Sequence, residues 1–178
     1  QMACSPGTYQ PYSGQSSCIN ASPGHFVSGS GSTNQTACSS GTYNPNNGSS
    51  SSTDCIYSSP GFHSPNNGSS NQTACSPGTY QPSTGQQTCY SASSGHYATG
   101  SASTNQTACN AGTYNPNNGS SSSNDCIITS PGHFSLNGST NQTACSPGTY
   151  QPYSGQPSCI YASPGSYVPW VMATVQIP

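Results

Sequence analysis

Ten cysteines recur along the chain at two alternating spacings. Five of them each begin the motif A-C-x-x-G-T-Y, and each is followed by a second cysteine after 14, 17, 14, 17 and 14 residues in turn. The openers are Cys4, Cys38, Cys75, Cys109 and Cys145, and the followers are Cys18, Cys55, Cys89, Cys126 and Cys159. Self-similarity at a period near 35 residues is typical of a repeat array, in which each unit packs on its neighbours. The spacing therefore predicts an array that extends in one direction.

The amino-acid composition makes disulfides the expected source of order. Leu, Ile, Val and Phe number only 14 of 178 residues, yet the formal charge is only -2, which is not the high charge typical of disordered chains. A disulfide that closes a loop of about 15 residues stabilises by roughly 3 kcal/mol. Disulfides persist in oxidising compartments, so we expect an extracellular, secreted or cell-surface protein. The chain has no C-x2-C pair, and we therefore assign no metal site to the cysteines.

Each long repeat contains two half-units of about 17 residues. Ala3-Cys4-Ser5-Pro6-Gly7-Thr8-Tyr9 is echoed by Asn20-Ala21-Ser22-Pro23-Gly24-His25-Phe26, in which Ala21 takes the place of the cysteine. The tandem repeats span residues 1-168, in units of approximately 1-36, 37-73, 74-107, 108-143 and a partial 144-168. Gln1-Met2-Ala3-Cys4 aligns with Gln35-Thr36-Ala37-Cys38, so the chain begins inside a repeat. We expect a mature product or a piece of a longer array, with its targeting sequence upstream.

These half-units resemble the ephrin-receptor-like cysteine-rich repeats, relatives of the growth-factor and TNF receptor modules. The family half-unit is similar to C-x2-C-P-x-G-x-Y followed by a glycine-containing turn, and the resemblance covers residues 3 to 168. Here alternate cysteine pairs are missing, and the vacated positions Ala21 and Gln35 are 14 residues apart, like Cys4 and Cys18. The resemblance implies that each remaining bridge joins neighbouring cysteines. The implied pairs are Cys4 with Cys18, Cys38 with Cys55, Cys75 with Cys89, Cys109 with Cys126, and Cys145 with Cys159.

The local sequence predicts short strands and turns with almost no helix. Gly and Pro recur every few residues, and runs such as Asn44-Pro45-Asn46-Asn47-Gly48 are strong turn signals. We therefore expect a small disulfide-rich all-β fold, an elongated solenoid-like array of short β-hairpin and turn half-units. One aromatic residue recurs per half-unit, and we expect this series to form the core ladder, with a carbohydrate-binding strip as the alternative. The series is Tyr9, Phe26, Tyr43, Tyr80, Tyr97, Tyr114, Phe134, Tyr150 and Tyr167.

The chain shows no constellation of catalytic residues, and we expect no enzyme and no cofactor. The only carboxylates, Asp54 and Asp125, occupy equivalent repeat positions and form no acid-base pair. The four histidines, His25, His63, His96 and His133, recur singly about 35 residues apart, which is too sparse for a coordination shell. Without Lys or Arg the chain has no means of neutralising nucleic-acid phosphates. It also has no run of about 20 apolar residues that would insert into a membrane.

Acceptor sites for N-linked glycans are the most repeated chemistry in the sequence. Four of them share one N-Q-T-A-C context, and five more satisfy N-x-S/T elsewhere in the repeats. The first group is Asn34, Asn71, Asn105 and Asn141; the second is Asn20, Asn47, Asn67, Asn118 and Asn137. We expect glycans at some of these sites, where they would supply the solubility that charged side chains normally provide.

The last ten residues, 169-178, lie outside the repeat pattern as it reads from sequence. Val171, Ala173, Val175 and Ile177 alternate with polar residues or methionine, which predicts a C-terminal strand with one apolar face. Such a strand either caps the final half-unit or is donated to the next subunit. On the second interpretation, the assembly residues are Trp170, Val171, Ala173, Val175 and Ile177.

Together these features favour a structural subunit of an extracellular glycosylated filament, surface hair or fibrous coat. Its expected partners are copies of itself in a head-to-tail polymer, together with its glycans, and neither nucleic acid nor a membrane. The alternative is the stalk or ligand-binding ectodomain of a receptor or adhesin, which the family resemblance also implies. An ice-binding solenoid is a third interpretation, although the threonines form no dense T-x-T array.

Overall fold

The structure, a computed structural model, describes residues 2-178. It consists of two compact units, the first formed by the residues up to Cys75 with Gln81–Tyr90, the second by Ser76–Tyr80 with Ser91–Pro178. Helical structure within residues 2-178 is confined to two short 3-10 turns, Ser52–Asp54 and Ser123–Asp125. No helix among these residues has the length and apolar character needed to cross a bilayer. The expected small disulfide-rich all-β array is confirmed.

Every strand is two residues long, and the strands pair as antiparallel hairpins. In the first unit β1 pairs with β2, β3 with β4, β5 with β6 and β7 with β8; in the second β11 pairs with β12, β13 with β14, β15 with β16 and β17 with β18. In β1–β2, Thr8 faces Asn20 and Tyr9 faces Ile19. The strands are β1 Thr8–Tyr9, β2 Ile19–Asn20, β3 His25–Phe26, β4 Thr36–Ala37, β5 Thr42–Tyr43, β6 Ile56–Tyr57, β7 Phe62–His63, β8 Thr73–Ala74, β9 Thr79–Tyr80, β10 Tyr90–Ser91, β11 His96–Tyr97, β12 Thr107–Ala108, β13 Thr113–Tyr114, β14 Ile127–Ile128, β15 His133–Phe134, β16 Thr143–Ala144, β17 Thr149–Tyr150 and β18 Ile160–Tyr161.

A proline-glycine turn starts each hairpin. In Ser5-Pro6-Gly7-Thr8 the Thr8 N–H donates to the Ser5 carbonyl at 3.0 Å, and Gly7 has φ +86°. Proline second and a positive-φ glycine third define a type II turn. We call the third residue of this turn the turn glycine. The ten turn glycines are Gly7, Gly24, Gly41, Gly61, Gly78, Gly95, Gly112, Gly132, Gly148 and Gly165.

A second residue with positive φ follows each turn glycine after six or seven residues, and we call it the loop position. It is glycine in eight half-units, but Ala102 (φ 58°) and Met172 (φ 56°) occupy it in the other two. The loop positions are Gly14, Gly31, Gly48, Gly68, Gly85, Ala102, Gly119, Gly138, Gly155 and Met172. Each half-unit therefore reverses direction twice through left-handed backbone.

Backbone hydrogen bonds tie each half-unit to the next within each unit. Nine of the ten turn glycines donate their N–H to a carbonyl in the following half-unit, beginning with Gly7 to Val27 at 2.7 Å and ending with Gly148 to Val168 at 2.8 Å. Around the first pair the other bonds are Ala21 N to Gly7 O at 2.8 Å, Gln10 N to Ser32 O at 3.0 Å and Gly31 N to Cys4 O at 2.7 Å. This ladder satisfies buried backbone groups that a core this poor in side chains leaves without other partners.

The buried core is made of small and polar residues, and the expected aromatic core is wrong. Tyr9 and Phe26 are half-buried, like the other aromatic residues of the series up to Tyr150, and Tyr167 is 56% exposed. The fully buried residues include Ala21, Asn44, Ser58, Gln81 and Cys109. Large side chains are excluded because half-units approach backbone to backbone. A Cβ on Gly24 would fall against the carbonyl oxygen of Gly68, two half-units ahead.

Disulfides and glutamine hydrogen bonds close alternate half-units. The five disulfides join the same cysteines that the family resemblance implied: Cys4 with Cys18, Cys38 with Cys55, Cys75 with Cys89, Cys109 with Cys126 and Cys145 with Cys159. In the half-units between them, glutamine stands where the second cysteine would stand. The Gln35 Oε1 accepts from the Ser22 N–H at 2.8 Å, and Gln72, Gln106, Gln142 and Gln176 repeat this bond.

The longer cysteine loops differ from the shorter ones by a capped 3-10 turn. In Ser52–Asp54 the Asp54 Oδ2 accepts from the N–H groups of Ser50 and Ser51, both at 3.0 Å. Asp125 makes the same two bonds, to Ser121 and Ser122. This reciprocal arrangement is a capping box. The two carboxylates therefore hold inserted turns, and the S-x-x-D pattern in the sequence was the signal for it.

Candidate assembly interface

The C-terminal segment completes a tenth half-unit, so the expectation of a separate strand outside the repeats is wrong. Tyr167 and Ile177 exchange two backbone hydrogen bonds of 2.9 Å, as in the other hairpins, and no strand is assigned across 169-178. The Gln176 Oε1 accepts from the Ser163 N–H at 2.8 Å. The signal for this in the sequence was Thr174-Val175-Gln176, which matches Thr33-Asn34-Gln35 in an earlier repeat.

The residues expected to form one apolar face lie in different environments. Ala173 is 1% exposed, and its carbonyl accepts from the Gln151 N–H at 2.9 Å. Val171 and Val175 are 52% and 59% exposed, and Trp170 is 48% exposed. Ile177 is half-buried by its pairing with Tyr167. The left-handed backbone at Met172 turns the chain between them, which breaks the alternation expected of a strand.

The C-terminal end presents unused backbone groups of the ladder. Gly165 N–H, unlike the nine turn glycines before it, has no acceptor among residues 2-178. The internal turn glycines also face a backbone carbonyl two half-units ahead: a Cβ on Gly95 would lie 2.7 Å from the carbonyl carbon of Gly138. Gly148 and Gly165 have the same positive φ, but nothing within the described chain lies within 4 Å of a Cβ placed there. These two glycines therefore have the conformation of a contact surface without the contact.

The N-terminal end presents the complementary groups. Within the array the Val27 carbonyl accepts from Gly7, and the Gly31 N–H donates to the Cys4 carbonyl of the half-unit before it. The corresponding groups of the first half-unit are the Gln10 carbonyl and the Gly14 N–H, and neither has a backbone partner in the described residues. Each end thus carries what the opposite end lacks.

All nine sequon asparagines are exposed, but their side chains have different roles. The Oδ1 atoms of Asn67, Asn118 and Asn137 accept from backbone N–H groups of the preceding half-unit at 2.7 to 2.8 Å. Asn47 occupies the same repeat position, but its counterpart is Pro23, which has no N–H. The asparagines of the N-Q-T motifs, Asn34, Asn71, Asn105 and Asn141, make no side-chain hydrogen bond to residues 2-178, while the glutamine beside each one does. No structural bond in the protein itself thus accounts for these four asparagines.

The histidines divide into two kinds of position. The Nδ1 atoms of His25, His96 and His133 lie 3.2 Å from the carbonyl two residues earlier in their own turns. His63 stands one residue later in its half-unit, where the others have an aromatic, and its Nδ1 lies 3.3 Å from the Cys89 Sγ. With Cys75 it forms a cluster in which the three ligand atoms lie within 4.8 Å of one another. The sequence analysis missed this cluster, although the reversed order Phe62-His63 marked it.

The stapled hairpins and their ladder define a small disulfide-rich all-β repeat protein. Residues 2-38 match the family described as tyrosine-protein kinase ephrin type A/B receptor-like, which confirms the resemblance in the first repeat. No curated protein matches the chain.

Proposed function

We propose that this protein is a structural subunit of an extracellular glycosylated filament, assembled head to tail by continuing its internal ladder into the next copy. The observation that carries the proposal is the match between the two ends. The Gly165 N–H and the open face of Gly148 need a following half-unit, and the Gln10 carbonyl and Gly14 N–H need a preceding one. Heterologous contacts of this kind propagate into open filaments when they do not close into a ring.

The alternation of the two half-unit types supports this stacking. The last half-unit is closed by Gln176 and the first by the Cys4–Cys18 bridge, so a following copy preserves the alternation found inside the chain. The formal charge of -2, without any Lys or Arg, sets little repulsion between copies. The interface would therefore rest on backbone hydrogen bonds and close packing.

Stacking requires one local rearrangement. Met2 and Ala3 precede Cys4 as Thr36 and Ala37 precede Cys38, and Ile177 takes the place of Thr36 in the last hairpin. Met2 is 96% exposed and Ala3 is also exposed, so both are able to move aside at little cost in lost contacts. A chain that begins at Cys4 is a useful variant, because it leaves this position to the tail of the preceding copy.

Electron microscopy of the native material and of the purified chain at rising concentration tests the proposal. We expect filaments with an axial repeat equal to one chain, and a variant that begins at Cys4 should form them at least as readily. A monodisperse monomer at all concentrations, in both forms, would contradict head-to-tail assembly.

Glycosylation should favour the asparagines of the N-Q-T motifs. Their side chains are exposed and hold no bond in the protein, whereas Asn67, Asn118 and Asn137 already bind backbone N–H groups. Glycopeptide mass spectrometry of native material should find Asn34, Asn71, Asn105 and Asn141 occupied together. The chain has no Lys or Arg for trypsin, so another protease is required. Four unmodified N-Q-T sites would remove the glycan sheath from the proposal.

The alternative is a spacer or ligand-binding stalk in a receptor-type ectodomain. The match of residues 2-38 to ephrin-receptor-like repeats favours it, because such repeats are named for receptors. A stalk uses the same ladder but continues into other domains of its own chain rather than into copies. Extraction of the native protein distinguishes the two, since a stalk would be recovered as part of one longer polypeptide and a filament as many identical chains.

A further inference from the structure

We propose that His63, Cys75 and Cys89, in the dithiol state that precedes closure of their bridge, form a binding site for a soft divalent metal ion such as Zn²⁺. The structure shows the bridge closed, with the His63 Nδ1 3.3 Å from the Cys89 Sγ. All three candidate ligand atoms lie within 4.8 Å of one another. Thiolates and imidazole are the ligands that zinc prefers.

The geometry is close to what a tetrahedral ion requires. Zinc binds sulfur at about 2.3 Å and nitrogen at about 2.0 to 2.1 Å, so two of its ligand atoms lie about 3.5 to 3.8 Å apart. The distance from the imidazole to the Cys89 sulfur needs to grow only slightly. The two sulfurs separate when they are not bonded, and Cys75 and Cys89 are held near each other by the hairpin between them. Cys75 is 1% exposed and the other two are half-buried, which leaves room for a water as fourth ligand.

His63 alone among the histidines is placed for this role. The other three lie one position earlier in their half-units, and each has its Nδ1 beside a carbonyl of its own turn. Exchange of Phe62 and His63 relative to the other repeats moves the imidazole onto the next half-unit's disulfide. The other bridges have no histidine ligand atom in such a cluster among residues 2-178.

The chemistry involves no electron transfer. The ion binds the two thiols as thiolates, so two protons leave to solvent and the Cys–Zn bonds take their place. Oxidation to the disulfide would later release the ion. The site would hold Cys75 beside Cys89 and protect both from mispairing with the other eight cysteines while the chain folds.

The test uses the full chain, reduced with a phosphine and titrated with Co²⁺ as a spectroscopic substitute for Zn²⁺ under anaerobic conditions. We expect one equivalent to bind more tightly than the rest, with thiolate-to-cobalt charge-transfer absorption. Loss of a group one shell beyond a metal typically lowers affinity about 10-100-fold, so loss of the His63 ligand should weaken this step at least about tenfold. Alkylation followed by mass mapping should show Cys75 and Cys89 protected by one equivalent of Zn²⁺.

Two variants make the result specific. His63→Phe installs the aromatic found at this position in other half-units, and the double exchange Phe62→His with His63→Phe restores the usual order without a change in composition. Both should lose the tight step, while the matched control His25→Phe should keep it. Equal binding by all of these proteins, or protection spread evenly over the ten cysteines, would overturn the proposal, because reduced thiols alone would then explain the binding.

Discussion

Gly95→Ala should prevent stable folding of the second unit. Gly95 has φ +79°, and a Cβ there would collide with the carbonyl oxygen of Gly138 and lie 2.7 Å from its carbon. Neither neighbour is a side chain that can rotate away, so the backbone ladder between these half-units must open. We expect a loss of at least about 4 kcal/mol in the free energy of unfolding, at the extreme of single substitutions. Denaturant unfolding of the disulfide-intact protein, followed by circular dichroism, measures it.

Gly148→Ala is the matched control for this collision. Gly148 is also a turn glycine, with φ +89°, but in the isolated chain nothing lies within 4 Å of the point that its Cβ would occupy. Alanine at positive φ alone costs about 1 to 2 kcal/mol. Gly148→Ala should therefore leave a folded monomer with slightly lower stability. Similar losses for the two variants would show that backbone conformation, and not the approach of half-units, sets the need for glycine.

The cysteine spacing was sufficient to predict the repeat architecture because a period is a property of sequence alone. The family resemblance implied the bridges, and the same residues are joined in the structure. The aromatic core was wrong for a physical reason. Burial was assigned from side-chain area, but turn glycines such as Gly24 bring backbones so close that only small residues fit between half-units. Which residue approaches which depends on how half-units stack, and that does not follow from spacing.

The tail was misread because hydrophobic alternation was weighed without the polar framework of the repeat. Val171, Ala173 and Val175 alternate in sequence, yet Gln176 bonds to Ser163 in the way that Gln142 bonds to Ser130. A glutamine that replaces a disulfide is a side-chain-to-backbone bond between residues 12 to 13 apart, which a window of neighbouring residues does not reveal. The candidate interface followed only from counting which ladder groups find partners, and that count requires coordinates.

Gly165→Ala should abolish filament assembly while the monomer remains folded. In the isolated chain a Cβ on Gly165 meets nothing within 4 Å, so the substitution costs only the strain of alanine at φ +85°, about 1 to 2 kcal/mol. In a stacked filament, Gly165 would face Gly31 of the next copy, as Gly24 faces Gly68 inside the chain. A collision of about 4 kcal/mol at that interface lowers the association constant about a thousandfold.

The measurement is filament length and critical concentration by electron microscopy and sedimentation, beside circular dichroism of the monomer. Ser166→Ala is the neighbouring control, since it removes a hydroxyl without adding an atom to the interface, and it should assemble normally. Gly148→Ala should fail to assemble for the same reason as Gly165→Ala, because its partner would be Gly14 of the next copy. Filaments of normal length from both glycine variants would exclude continuation of the ladder as the joint. Assembly would then have to run through the exposed side chains of Trp170, Val171 and Val175, since these remain available whatever the glycines carry.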